Sequence, residues 1–211
     1  MDFRQNIENF MTENNILFTL CSNTNLHSYE LVDKQHLPGL ISFVKNDPTL
    51  RFTILTDLFA ADFINIPLWK RASEESNREK RFEVVYSLLS LKLNQRLILK
   101  ISLAENETPH TISDIYQAAN WYEREIYDMF GIEFANSPDM RRILTDYGFH
   151  GHPLRKDFPL TGHLQVKYDS KLEQVVYEPV ALEQEFRNFD FASPWSGPGA
   201  NILPGDEKAT K

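Results

Sequence analysis

The carboxylates Glu123, Glu125 and Asp128 fall within two turns of one segment, WYEREIYDMF, and could serve acid–base or metal chemistry. Glu125 and Asp128, three apart, share a helix face. A di-metal carboxylate site asks for Glu-x-x-His, but the residue three after Glu123 is Ile126. Ion pairing with Arg124, with basic residues downstream or with a partner is the simpler use of the cluster. His150, His152 and His163 lie in GFHGHPLRKDFPLTGH beside Asp146 and Asp157. An HxH pair on a regular strand points its two rings to opposite faces, so a shared metal would need a turn at Gly151. Structural or interface histidines fit better. Arg141, Arg142, Arg155 and Lys156 concentrate positive charge, and Tyr147 and Phe149 offer stacking faces that RNA could use. Asp139, Asp146 and Asp157 interrupt that charge, which suits an inter-subunit salt-bridge zone. The chain has no GxxxxGK[ST] loop, GxGxxG, GxSxG elbow or HExxH. No catalytic, cofactor-binding or metal-ligating set is therefore expected.

Composition narrows the classes further. The 22 Lys and Arg against 30 Asp and Glu leave a net charge of −8, which speaks against a general nucleic-acid binder. A single cysteine, Cys21, excludes an internal disulfide and a cluster or zinc held by several cysteines of this chain. On its own it reads as a small buried hydrophobe. No apolar run reaches the length of about 18 residues that crosses a bilayer, and the first residues form neither a signal core nor an Arg-rich targeting helix. A soluble protein of a reducing compartment is the expectation.

The elements that must position these residues are legible in the first two thirds. Phe3, Ile7, Phe10 and Met11 recur at helical spacing, and Ile16–Leu20 and Leu26–Val32 suit strands. Asp33 can cap a helix with Pro38 in its first turn and Leu37, Leu40, Ile41 and Val44 as its buried stripe, stopped at Asp47-Pro48. Arg51–Leu58 reads as a strand and the charged stretch 70–81 as a solvated loop. Phe82–Leu93 and Arg96–Leu103 read as a hairpin, the second strand turning Leu97, Leu99, Ile101 and Leu103 to one side. Ser113 can cap a helix running to Phe130, with Gly131 as its stop. After Ala135 periodicity is lost among prolines and glycines. The expected fold is α+β: a two-layer domain over 1–135, with a mixed, largely antiparallel sheet packed on helices. A long extended partner-binding arm over 136–195 and a disordered tail over 196–211 follow. Phe186, Phe189, Phe191 and Trp195 of the arm lack a core periodicity, and such aromatics bury against the chain's own body or a neighbour.

The run WYEREIYDMFGIEF followed by PDMRRILTDYGFHGHPLRKDFPLTGH closely resembles the C-type subunit of the proton-translocating NADH:quinone oxidoreductase, respiratory complex I. RFEVVYSLLSLKLNQR resembles the strand pair preceding that signature, and VVYEPVALEQEFRNFDFASPW resembles the ending of the α-proteobacterial and mitochondrial branch. One position departs: the family carries His before Pro138-Asp139, where this chain has Ser137. The resemblance implies a non-catalytic structural and assembly subunit of the peripheral arm. That complex passes electrons from NADH through FMN and iron–sulfur clusters to quinone, coupled to proton translocation. It implies no cofactor in this chain, with FMN and clusters in partner subunits. It also implies packing against the quinone-pocket subunit (D type) and the adjoining cluster-bearing subunit (B type). The expected location is peripheral, on the cytoplasmic face of a bacterial inner membrane or the matrix face of the mitochondrial one. The partner-interface candidates are Glu123, Arg124, Glu125, Asp128, Arg141, Arg142, His152, Arg155, Lys156, Phe186, Phe189, Phe191 and Trp195. The alternatives are a stand-alone metal-dependent hydrolase using Glu125, Asp128, His150 and His152, or an RNA-binding module using Arg141, Arg142, Arg155 and Lys156.

Overall fold

The computed structural model describes residues 3–21, 27–64, 80–182 and 184. The chain divides into two compact units, Met1–Gly162 and His163–Lys211. Most of the charged stretch 70–81, the four distal aromatics and the tail 196–211 lie outside the described residues.

The first unit is built on a five-stranded sheet. Its strands are β1 (Phe18–Leu20), β2 (His27–Leu31), β3 (Ile54–Asp62), β4 (Phe82–Ser90) and β5 (Gln95–Leu103), in the order β1-β2-β5-β4-β3. Every pairing is antiparallel except β2 with β5, which makes the sheet mixed. Leu97, Leu99, Ile101 and Leu103 are all fully buried, and the register sets Leu88, Tyr86, Val84 and Phe82 opposite them on the same face. Helices α1 (Phe3–Glu13), α2 (Leu37–Asn46) and α3 (Ala119–Phe130) supply the second layer. Ile7 and Met11, then Leu37, Leu40, Ile41 and Val44, then Ala119, Ile126 and Phe130 join those strand residues in one core.

β3 would lose its pattern without a bulge. Leu55 pairs with Leu88 and Asp57 with Ser87, so Thr56 is the extra residue. That insertion reverses the two-residue alternation, so Leu55 and Leu58 both face the helices. The Thr56 hydroxyl donates to the Ser87 carbonyl at 2.9 Å, which ties down the loosened backbone.

Two expectations are corrected. α3 begins at Ala119 and not at Ser113, because residues 111–118 are drawn into turns by buried Ile112 and Tyr116 and by hydrogen bonds to Glu123. Asp33 caps only a short 3-10 turn, Lys34–His36, before α2, accepting from the Gln35 N–H at 2.9 Å. Residues 136–162 lie in the same compact unit as the sheet. Their backbone and side chains bond to α3 and β3. In the second unit, β6 (Leu164–Asp169) and β7 (Gln174–Pro179) form an antiparallel hairpin.

Candidate functional site

α3 carries its three carboxylates into three different surroundings. Residues three apart on a helix stand about 60° apart in projection, and the edge of the buried stripe falls between Glu125 and Asp128. Glu125 is exposed, whereas Asp128 is fully buried, so the two do not make a common site. Glu123 is fully buried too. Its Oε1 accepts from the Ile112 N–H at 2.8 Å and its Oε2 from the Thr111 hydroxyl at 2.6 Å. Burial pushes the Glu123 carboxyl above its ordinary range, and the hydroxyls of Thr111 and Ser137 and the Ile112 amide offset only part of that.

Asp128 has the opposite balance. Its Oδ2 accepts from three successive amides, Ile143 at 3.0 Å, Leu144 at 2.7 Å and Thr145 at 2.9 Å. Its Oδ1 accepts from the Thr145 hydroxyl at 2.6 Å and from Arg142 at 3.0 Å. Burial works to raise its pKa, yet these donors hold it down at about 2. The carboxylate thus fills an anion nest made by its own chain.

The last turn of α3 leaves carbonyls without intrahelical partners. Tyr127 receives the Gly131 N–H at 2.8 Å, with Gly131 in the left-handed region at φ 73°. The next three carbonyls are capped by the segment 152–155. His152 Nδ1 lies 3.0 Å from the Asp128 carbonyl, which can only accept, so Nδ1 carries the proton. The Leu154 amide donates to Met129 at 3.1 Å, and Arg155 Nε donates to Phe130 at 2.5 Å. Burial lowers the pKa of His152, which keeps this neutral arrangement. The Arg155 cation also lies at the negative end of the helix dipole.

Further ion pairs close the segment onto the sheet. Buried Asp62 at the end of β3 pairs with Arg81 at 2.8 Å and accepts from the Lys156 amide at 3.0 Å. Arg81 also reaches Glu105 at 3.0 Å and Asp157 at 3.0 Å, and Arg155 reaches Glu105 at 3.2 Å. Arg124 donates to the Arg141 carbonyl at 2.8 Å and lies over the Trp121 ring, while exposed Arg141 pairs with Asp139 at 2.7 Å.

Most of these polar groups are engaged within the chain itself, whereas several large apolar side chains stay open to solvent. Trp121 is 64% exposed, Leu144 59% and Tyr147 98%. Glu125 and Asp128 are not brought together as a hydrolase would need, and Arg142 and Arg155 pair with Asp128 and Glu105. Among the described residues no group of three His, Cys, Asp or Glu side chains is placed to hold a metal. Phe186, Phe189, Phe191 and Trp195 fall outside the described residues. The loop-holding role of Asp128 was not legible in its spacing, since its amide donors come 15 to 17 residues later.

Comparison with known proteins matches residues 31–164 to the family described as respiratory-chain NADH dehydrogenase, 30 Kd subunit. The C subunit of the NADH-quinone oxidoreductase of Rickettsia felis is 50% identical over 204 residues, 97% of this chain and 92% of that protein. The corresponding C subunit of Azorhizobium caulinodans is 53% identical over 175 residues, 83% of this chain and 77% of that one. Among solved structures, a chain from the membrane-bound sulfane sulfur reductase, an archaeal respiratory membrane complex, superposes with a TM-score of 0.56. It is 20% identical and covers 76% of this chain and 87% of its own length, a likeness of fold alone. The motif from Trp121 to His163 thus lies within a match that spans more than half the chain, and this chain belongs to the family of 30 Kd subunits of the respiratory-chain NADH dehydrogenase.

Proposed function

We propose that this chain is a structural and assembly subunit of the peripheral arm of NADH:quinone oxidoreductase, with no redox centre of its own. FMN and the iron–sulfur clusters belong to partner subunits in this reading. Its contacts are chiefly with the quinone-pocket subunit of D type and the adjoining cluster-bearing subunit of B type. No helix among the described residues is long and apolar enough to cross a membrane. In this reading attachment is peripheral, through the complex, on the cytoplasmic or matrix face.

One observation carries the reading: buried Asp128 fixes a loop that displays Leu144 and Tyr147 to solvent. A loop held by five hydrogen bonds has little conformational freedom left to lose on binding, so its exposed aromatic and aliphatic groups can contribute most of their burial energy to a partner. Electron transfer requires clusters and quinone at fixed separation, and a rigid body wedged between subunits supplies that. Of the interface candidates, Glu125, Arg141 and Lys156 are exposed and remain available for rim contacts, whereas Glu123, Asp128, Arg142 and Arg155 act by shaping the surface. The test is purification of the tagged chain from detergent-solubilised membranes. D- and B-type subunits should co-purify with NADH:quinone activity, and a chain recovered without them would overturn the assignment.

A further inference from the structure

The hairpin of the second unit is amphipathic in an unusual sense. Its register sets Leu164 opposite Pro179, Val166 opposite Tyr177 and Tyr168 opposite Val175 on one face. Gln165 with Glu178, Lys167 with Val176 and Asp169 with Gln174 occupy the other. The polar face is closed among itself: Gln165 Nε2 donates to Glu178 at 2.7 Å, and Lys167 lies 3.9 Å from the same carboxylate. The apolar face is open to solvent, with Leu164, Val166, Tyr168 and Val175 each 56–60% exposed. Asp169 holds the turn by accepting from the Lys171 amide at 2.8 Å. A two-stranded hairpin is marginal in water unless a third layer covers its apolar side.

We propose that the apolar face of the β6–β7 hairpin docks onto an uncharged, apolar patch of another subunit of the respiratory assembly. This rests on the reading of the chain as a subunit of that assembly. Two features select this occupant. Six-residue strands give a face of roughly 200–300 Å². A self-standing interface takes about 800 Å² from each partner. The face is therefore too small to hold a second copy of this chain unaided, and suits a partner already gripped elsewhere. A lipid surface is the other apolar candidate, but elements that lie on membranes carry surplus Lys and Arg. Here Lys167 and Lys171 are outnumbered by Asp169, Glu173 and Glu178, in a chain of net charge −8.

The test uses the full chain in membranes that carry the whole complex. A photo-crosslinking phenylalanine analogue replaces Tyr168, with the same analogue at Gln165 on the opposite face as control. Position 168 should link to a different subunit at least about fivefold more efficiently than position 165. Links to a second copy of this chain, links to lipid alone, or no link would each overturn the proposal. In parallel, Val166→Lys combined with Val175→Lys, at exposed positions outside the core of the first unit, should lower incorporation into the complex at least about tenfold. Incorporation of that variant at the wild-type level overturns the hairpin proposal alone. A wild-type chain absent from the complex overturns the functional reading and this inference with it.

Discussion

Asp128→Asn separates a carboxylate that organises a loop from one that merely fills space. The amide keeps the shape and one acceptor oxygen, but its NH2 must face either the three amides of residues 143–145 or the Arg142 and Thr145 donors. The magnitude follows from linkage. A carboxyl held at about 2 against the ordinary 3.8 favours the charged over the neutral form by about 2.4 kcal/mol at 1.36 kcal/mol per unit. The neutral amide should forfeit about that much. In a body of this size such a loss lowers Tm by about 5–10 °C. Because the folded value is depressed, this stability is present above the unfolded pKa and is lost as pH falls through about 2. Urea unfolding followed by circular dichroism, from about pH 7 down to about pH 2, should show the wild-type advantage shrinking below about pH 4. Hydrogen exchange should show the amides of Ile143, Leu144 and Thr145 opening faster in the variant, and trypsin should cut sooner after Arg142. A variant within about 0.5 kcal/mol of wild type (the spread of neutral surface changes), with those amides equally protected, would refute the argument.

Glu123→Gln should behave in the contrary way: burial raises this carboxyl, so folding weakens as pH rises past its unfolded value. Urea titrations at about pH 5 and about pH 8 should show less pH dependence in the variant, with a loss at neutral pH below about 1 kcal/mol. Gly131→Ala would force a left-handed φ on alanine and set its Cβ 2.6 Å from both Arg155 and His152 side chains. A loss of about 1–2 kcal/mol from the backbone alone should appear in thermal unfolding, with the 152–155 segment becoming protease-sensitive. Ser137→His places an imidazole beside Glu123, which Ser137 now touches. It should add about 0.5–1.5 kcal/mol at about pH 5.5 and lose that gain as pH rises and the imidazole gives up its proton, read from unfolding midpoints. Glu125→Gln, at an exposed position, should leave the stability of the purified chain within about 0.5 kcal/mol. If turnover falls steeply in complexes that still assemble, Glu125 takes part in the reaction and the scaffold reading is wrong.

How far the sequence speaks for the fold depends on whether a residue's partner is near in the chain. The β5 alternation and the α2 stripe are local periodicities, and both emerge in the core as read. β3 is legible only in part because Thr56 breaks the period at the bulge, so the strand extends to Asp62 and not only to Leu58. Ser113 is a plausible cap by type, but Thr111 and Ile112 are engaged by Glu123 from the following helix, a contact that no local pattern announces. The same holds for residues 136–162, whose irregular backbone is satisfied by α3 carbonyls and by Asp62. LQVKYD alternates, but its partner QVVYEP carries three apolar residues in a row, and the surrounding prolines and glycines mask the pair.

The parallel pairing of β2 with β5 has a consequence for biosynthesis. Partners such as His27 and Leu97 are separated by roughly 70 residues, and β5, the central strand of the sheet, is the last of its five to be made. At about 5–20 residues per second, on the order of 3–14 s pass on the ribosome between β2 and its neighbour. During that interval α1, α2 and the β1–β2 pair have emerged with no central strand to close on. The β4–β5 hairpin, whose contacts are local, can form as soon as it appears and then act as the template on which the earlier elements condense. Translational pausing before Leu103 would prolong the exposure of the early apolar faces, so slow codons upstream of β5 should favour aggregation and chaperone capture, whereas pausing after Phe130 should not.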